Sequence, residues 1–167
     1  MKKIILAAMA MFATVGVASA QDIRADRSGF YIGGTVGSTV QDNAQTALGA
    51  LAGYQFHPNF RLEGTYDYLP QTTGGNSNLV MLNSVAQYRI PSSVITPYLL
   101  GGVGVGLDGF GTTNGDPEAV YALGVGVRAA VSTNVELDAR YRYISQFSGG
   151  SNAENASILT VGANFRF

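Results

Sequence analysis

Residues 135–143 read VELDARYRY. Val135, Leu137, Ala139, Tyr141 and Tyr143 take the odd positions, and Glu136, Asp138, Arg140 and Arg142 the even ones. Strict alternation marks an extended strand whose successive side chains face opposite ways. One face of this strand is apolar and rimmed with tyrosine; the other carries two acids and then two arginines. The segment constrains the fold because it forces a choice. In a soluble protein the charges meet water and the apolar face the core. In a closed barrel within a membrane the order is reversed.

The rest of the chain decides which. From Phe30 onward it divides into eight stretches of strand character, at 30–39, 48–56, 60–69, 79–89, 96–107, 119–130, 135–145 and 156–167. Most have the roughly 9–11 residues that a tilted strand needs to cross a bilayer, whereas strands in soluble domains average about 5–6. The connections alternate in length. Those at 57–59, 90–95 and 131–134 are short; those near 40–47, 70–78, 108–118 and 146–155 are longer and rich in Gly, Asn, Ser and Thr. Short turns at one end and long loops at the other is the pattern of outer-membrane barrels. The faces agree: Phe60, Leu62, Gly64, Tyr66 and Tyr68 oppose Arg61, Glu63, Thr65 and Asp67, and Leu159, Val161, Ala163, Phe165 and Phe167 oppose Thr160, Gly162, Asn164 and Arg166. In 96–107 the expectation is Val103, Val105 and Leu107 outward, with Gly102, Gly104 and Gly106 inward. The predicted fold is all-β, an eight-stranded antiparallel up-and-down transmembrane barrel, since only closure satisfies every backbone group in hydrocarbon. Phe56, Phe60, Tyr88, Tyr141, Tyr143, Phe165 and Phe167 are expected to form aromatic girdles.

The first twenty residues stand apart. Lys2 and Lys3 precede an apolar run from Ile4 to about Val17, closed by Ala18-Ser19-Ala20. This is a secretory leader, with cleavage expected between Ala20 and Gln21, a polar lead-in at 21–29 and the barrel at 30–167. Without the leader's two lysines the basic residues fall to eight, all arginine, against 11 acids, a formal net charge of −3. No basic stripe is left for nucleic acid. Cysteine is absent, so there is no disulfide or thiolate site.

An eight-stranded barrel has an interior just wide enough for side chains to fill it. The inward set comprises Arg61, Glu63, Asp67, Arg128, Glu136, Asp138, Arg140, Arg142 and Arg166, with Asn83, Gln87 and Asn164. Both signs are present, so mutual neutralisation is expected, Arg128 lying across the 131–134 turn from Glu136 or Asp138. The expected result is a structural polar network; a narrow solute or ion channel is the alternative. Inward glycines could leave gaps or relieve crowding.

Catalytic and metal sites are not expected. His57, the single histidine, sits in the turn FHPNF with no acid beside it in sequence. Glu136 and Asp138 form a same-face carboxylate pair, but Arg140 and Arg142 continue the row, which points to ion pairing. Asp108, Asn114, Asp116 and Glu118 lie in a glycine-rich loop without EF-hand spacing. GGVGVG lacks both the helix and the lysine of a phosphate-binding loop. No cofactor is implied, and a soluble ligand-binding barrel would need the faces of residues 60–69 and 135–145 reversed.

The leader, GFYIGGTVG, LAGYQFHPNFRLEGTYDY, TPYLLGGVGVG and the terminal NFRF resemble small outer-membrane barrels of the opacity-protein and OmpA-transmembrane-domain type, the porin family of outer membrane proteins. The resemblance covers nearly the whole chain after the leader. It implies a Gram-negative outer-membrane protein with periplasmic termini, surrounded by outer-membrane lipid and lipopolysaccharide. It also implies that Phe165 and Phe167 form the signal read by the barrel-assembly machinery. The expected protein is a monomer, not an enzyme, with a structural or surface-contact role through its loops and a surface ligand that the sequence does not name. The peptidoglycan-binding domain that follows the barrel in full-length OmpA-type proteins is not found, so cell-wall anchoring is not expected.

Overall fold

A computed structural model describes residues 28–40, 45–70, 76–107, 117–147 and 155–167. The leader, the Ala20–Gln21 position and Asp108, Asn114 and Asp116 lie outside these. The strands are β1 (Gly29–Thr39), β2 (Thr46–His57), β3 (Phe60–Pro70), β4 (Asn76–Gln87), β5 (Ile95–Leu107), β6 (Glu118–Ala130), β7 (Val135–Gln146) and β8 (Asn155–Arg166). Each pairs antiparallel with its sequence neighbour, and β1 also pairs with β8, so the sheet is a closed barrel with no free edge. This is the architecture read from the sequence. β4 differs most in its bounds, running from Asn76 rather than from residue 79. Its first residues pair with the end of β3, Pro70 opposite Asn76, and the Tyr66 hydroxyl donates to Asn78 Oδ1 at 2.7 Å.

Alternation fixes what each face meets. Leu99, Val103, Leu123 and Val125 stand outward and exposed, and so do Ile32, Leu62 and Leu82. Phe30, Tyr54, Phe56, Phe60, Tyr88, Phe165 and Phe167 gather on the outside at the short-turn end. Phe30 packs on Tyr54 and Phe165 on Phe167, with ring centroids 4.7 and 5.4 Å apart. Toward the loop end, Tyr66, Tyr121, Tyr141 and Phe147 form a second group on the outer wall. Tyr141 donates to Ser157 Oγ and Tyr121 packs on Phe147. Two aromatic belts flanking an apolar band are what a wall in contact with lipid requires. Val103, Val105 and Leu107 point outward and Gly102, Gly104 and Gly106 inward, as expected.

The inward glycines relieve crowding. A Cβ at Gly53 would overlap the ring of Tyr31, and one at Gly126 would overlap the ring of Tyr98. Both tyrosines are buried in the lumen. Gly101, on the outer wall, has only Leu123 Cδ2 nearby, at 3.8 Å. Gly126→Val should therefore destabilise the barrel by about 1–3 kcal/mol, the usual cost of overpacking, while Gly101→Val stays close to wild type. Urea unfolding in lipid vesicles measures both; equal effects would contradict this account of the glycines.

Candidate functional site

Strands three and seven of an eight-strand ring face each other across the lumen, and these two carry most of its charge. β3 contributes Arg61, Glu63 and Asp67; β7 contributes Glu136, Asp138, Arg140 and Arg142. All seven are buried, with Arg128 from β6 and Arg166 from β8. Three ion pairs run from β3 to β7 like rungs: Arg61–Glu136, Glu63–Arg140 and Asp67–Arg142.

In the tier nearest the turns, Arg61 Nη1 and Nη2 donate to Glu136 Oε2 and Oε1 at 2.7 and 2.9 Å. Arg166 reaches the same carboxylate through Nη1 at 3.2 Å and Gln55 through Nη2 at 2.9 Å. The middle tier is a closed ring of four charges. Glu63 accepts from Arg128 Nη2 at 2.5 Å and from Arg140 Nη1 at 3.0 Å. Asp138 accepts from Arg128 Nε at 2.9 Å and from Arg140 Nε at 2.7 Å. Arg128 lies opposite Asp138 in the β6–β7 register, the partner anticipated across the 131–134 turn. Tyrosines complete the ring: Tyr31 donates to Glu63 at 2.8 Å and Tyr98 to Asp138 at 3.0 Å. The Arg128 guanidinium also sits 4.1 Å above the Tyr98 ring centroid, a cation–π contact. Arg128 Nη1 donates to Gln87, whose amide donates to the Pro58 carbonyl and ties the network to a turn. In the third tier Arg142 grips Asp67 with both terminal nitrogens, at 2.7 and 2.6 Å.

Above the ions, at the loop end, the lumen turns apolar. Leu69, Leu79, Met81, Val120, Ile144 and Ile158 pack into one cluster with Ala47, Ala122 and Ala156. Leu79, Val120, Ile144 and Ile158 are at 0% exposure, so solvent does not reach the side chains of this cluster. The sequence reading did not identify this cap, nor Tyr31, Tyr98 and Gln55 as lumen groups. Its signal is local loss of alternation: NLVMLNSV in β4 and RYIS in β7 place apolar residues on both faces, as strands covered on both sides do.

His57 lies apart from this network. Its Nδ1 accepts from the Asn59 backbone at 3.2 Å and its ring packs against Phe60. Phe165 and Phe167 are on the outer wall, and the Phe167 amide donates to the Phe30 carbonyl at 3.1 Å.

Glu63, Asp138, Arg128 and Arg140 are almost wholly buried, so a charge left alone among them is shielded from bulk solvent. Glu63→Gln should cost about 3–5 kcal/mol, because it strips the ring of one of its two anions and leaves Arg128 and Arg140 undercompensated. Replacing Asp67 and Arg142 together with leucine should cost less than either single replacement, since the pair leaves no orphan. Unfolding free energies in vesicles check both, and additive effects at positions 67 and 142 would contradict the pairing.

Residues 4–167 match the family model for the outer membrane protein beta-barrel domain. No curated protein sequence matches the chain. Among solved structures the fold is similar to Neisserial surface protein A, NspA, with a TM-score of 0.68, 19% identity, and coverage of 84% of this chain and 98% of that one. It is similar to outer membrane protein H, OprH, of Pseudomonas aeruginosa, with a TM-score of 0.62, 22% identity, and coverage of 83% and 99%. The outer membrane enzyme PagL shares the fold, with a TM-score of 0.55, 16% identity, and coverage of 82% and 99%. By the family match over nearly its whole length, the chain belongs to the outer membrane β-barrel domain family and is a protein of the outer membrane.

Proposed function

We propose that this protein is a sealed barrel that acts by contact: it reinforces the outer membrane and holds four loops, at 40–45, 71–75, 108–117 and 147–154, on the cell surface. The observation that carries this reading is the double closure of the lumen. Three ionic tiers fill it from the turn end, and the Leu79–Val120–Ile144–Ile158 cluster blocks the loop end. A conducting path would have to cross both. The channel reading would need a continuous file of water, and the apolar cap opposes it.

In the same reading the leader is removed after Ala20; an even strand count puts both ends of the mature chain on one side, and the short turns mark that side as the periplasm. Phe165 and Phe167, on the outer wall at the last strand's end, present the assembly signal. The barrel is a monomer whose closed sheet leaves no edge to pair. Its role is non-catalytic. PagL is an enzyme on this fold, but the one histidine of this chain is engaged in a short turn, apart from the lumen network.

The absence of cysteine makes orientation testable with single substitutions. Asn114→Cys, in the 108–117 loop, should react with a membrane-impermeant maleimide on intact cells. Ser132→Cys, in a short turn, should react only after the outer membrane is permeabilised. The reverse pattern would invert the proposed topology. The purified barrel in a planar bilayer should give no single-channel steps, and reproducible steps would replace the sealed-barrel reading with the channel.

A further inference from the structure

The barrel repeats its plan after four strands. β7 matches β3 moved on by 75 positions, the separation at which Arg61 meets Glu136 and Asp67 meets Arg142. Phe60-Arg61-Leu62-Glu63 aligns with Val135-Glu136-Leu137-Asp138, and Tyr66-Asp67-Tyr68 with Tyr141-Arg142-Tyr143. The flanking strands follow. Tyr31 of β1 lies opposite Gly53 of β2, and Tyr98 of β5 opposite Gly126 of β6. The backbone amide of Gln87 in β4 donates to the Asn59 carbonyl, and that of Arg166 in β8 to the Asn134 carbonyl, each at 2.8 Å. In a closed ring of eight, a shift of four strands is a half-turn about the barrel axis. β1–β4 and β5–β8 are two halves related in that way.

Two contacts inside each half use like groups in both. Tyr31 donates to Glu63 and Tyr98 to Asp138; on the outer wall Tyr66 donates to Asn78 and Tyr141 to Ser157. Contacts between the halves join unlike groups at matched positions. Positions 61 and 136 hold arginine and glutamate and meet each other; positions 67 and 142 hold aspartate and arginine and do the same. The half-turn carries each member of such a pair onto its partner's place, so identical halves would bring like charges together there. Gln55 matches Arg128 and Gln87 matches Arg166, and their bonds cross: Arg128 donates to Gln87 and Arg166 to Gln55. In the middle ring Glu63 comes from the first half, and both of its arginines, Arg128 and Arg140, come from the second.

We propose that the lumen is an interface between two half-barrels whose groups let a first half pair only with a second half. Two first halves would set Arg61 against Arg61 and Asp67 against Asp67, and would give Glu63 neither arginine of the middle ring. Two second halves would set Glu136 against Glu136 and Arg142 against Arg142. Such like-charge contacts are how an interface rejects a wrong partner. Each half fits the other kind of half, from its own chain or from a second copy, and the 88–94 connection keeps the chain's own half close at hand.

The test exchanges the Asp67–Arg142 rung, which pairs with no third charged group among the described residues. A glycine stands opposite each position, Gly49 at Asp67 and Gly124 at Arg142. Full-length variants are folded from urea into detergent micelles and followed by unboiled gel mobility. Asp67→Arg and Arg142→Asp each set like charges across the lumen, and either alone should lower the yield of folded monomer at least tenfold. Asp67→Arg combined with Arg142→Asp in one chain should restore the monomer. The two single variants folded together should also recover, as an SDS-resistant dimer in which each first half closes on the other chain's second half. The seven residues 88–94 can reach about 23 Å when extended, enough to pass between barrel walls packed about 10 Å apart. Wild-type yield from either single variant, no recovery in the exchanged chain, or no dimer in the mixture would overturn the proposal.

Discussion

Hydrocarbon offers the backbone no hydrogen-bond partner, and the rest of this structure follows from that constraint. A sheet in lipid must close, because an open edge would leave a row of N–H and C=O groups unpaired, each at a cost of several kcal/mol. The β1–β8 pairing, Tyr31 opposite Arg166 through Thr39 opposite Ile158, is the step that removes the edge. Closure at eight strands then sets the width of the interior. That width leaves no room for a bulk-water lumen, so the groups pointing inward must satisfy one another.

Buried ion pairs are weak evidence for stability when isolated, because desolvation offsets most of the Coulombic gain. The lumen answers this by sharing. Glu63 and Asp138 each accept from both Arg128 and Arg140, and tyrosine hydroxyls take up further lone pairs. Bidentate Arg61–Glu136 and Arg142–Asp67 add fixed geometry on either side. Because the rungs join β3 to β7 across the barrel, they brace the wall as well as fill it. Toward the loops the filling becomes mostly apolar, with buried Ser77 and Gln146 at its margin. Bracing across the lumen and packing within it together stiffen the wall that carries the loops.

The faces of β3, β6, β7 and β8 were legible in the sequence because, in the half of each strand nearest the short turns, polar or glycine positions alternate with apolar ones. The glycine-rich β1 and β2 were harder to read. Tyr31 gives no sign in sequence of whether it belongs to a girdle or to the lumen; that depends on Gly53 opposite it, where the missing side chain makes room for the ring. Tyr98 and Gly126 repeat the arrangement. Local pairing was also readable: Arg128 and Asp138 sit across one turn. The rungs Arg61–Glu136 and Asp67–Arg142 were not, because they join residues 75 positions apart in the chain. Their meeting depends on how far each strand is staggered as the sheet closes, a property of the whole ring. The apolar cap escaped notice for a related reason. Leu79, Ile144 and Ile158 look like lipid-facing residues until their parity is counted against the inward polar positions of the same strand, Asn83 and Gln87 in β4, Arg142 in β7 and Arg166 in β8.

The central claim is which face meets lipid, and the absence of tryptophan allows it to be measured directly. Single tryptophans would be placed at Val103, on the outer wall, and at Tyr98, in the lumen, and each variant reconstituted in vesicles whose acyl chains carry bromine. Bromine quenches indole fluorescence on contact. The account predicts strong quenching for Val103→Trp and little for Tyr98→Trp. Strong quenching at Tyr98→Trp with Val103→Trp unaffected would mean that the charged face is the one outside, and the structure described above would be inside out.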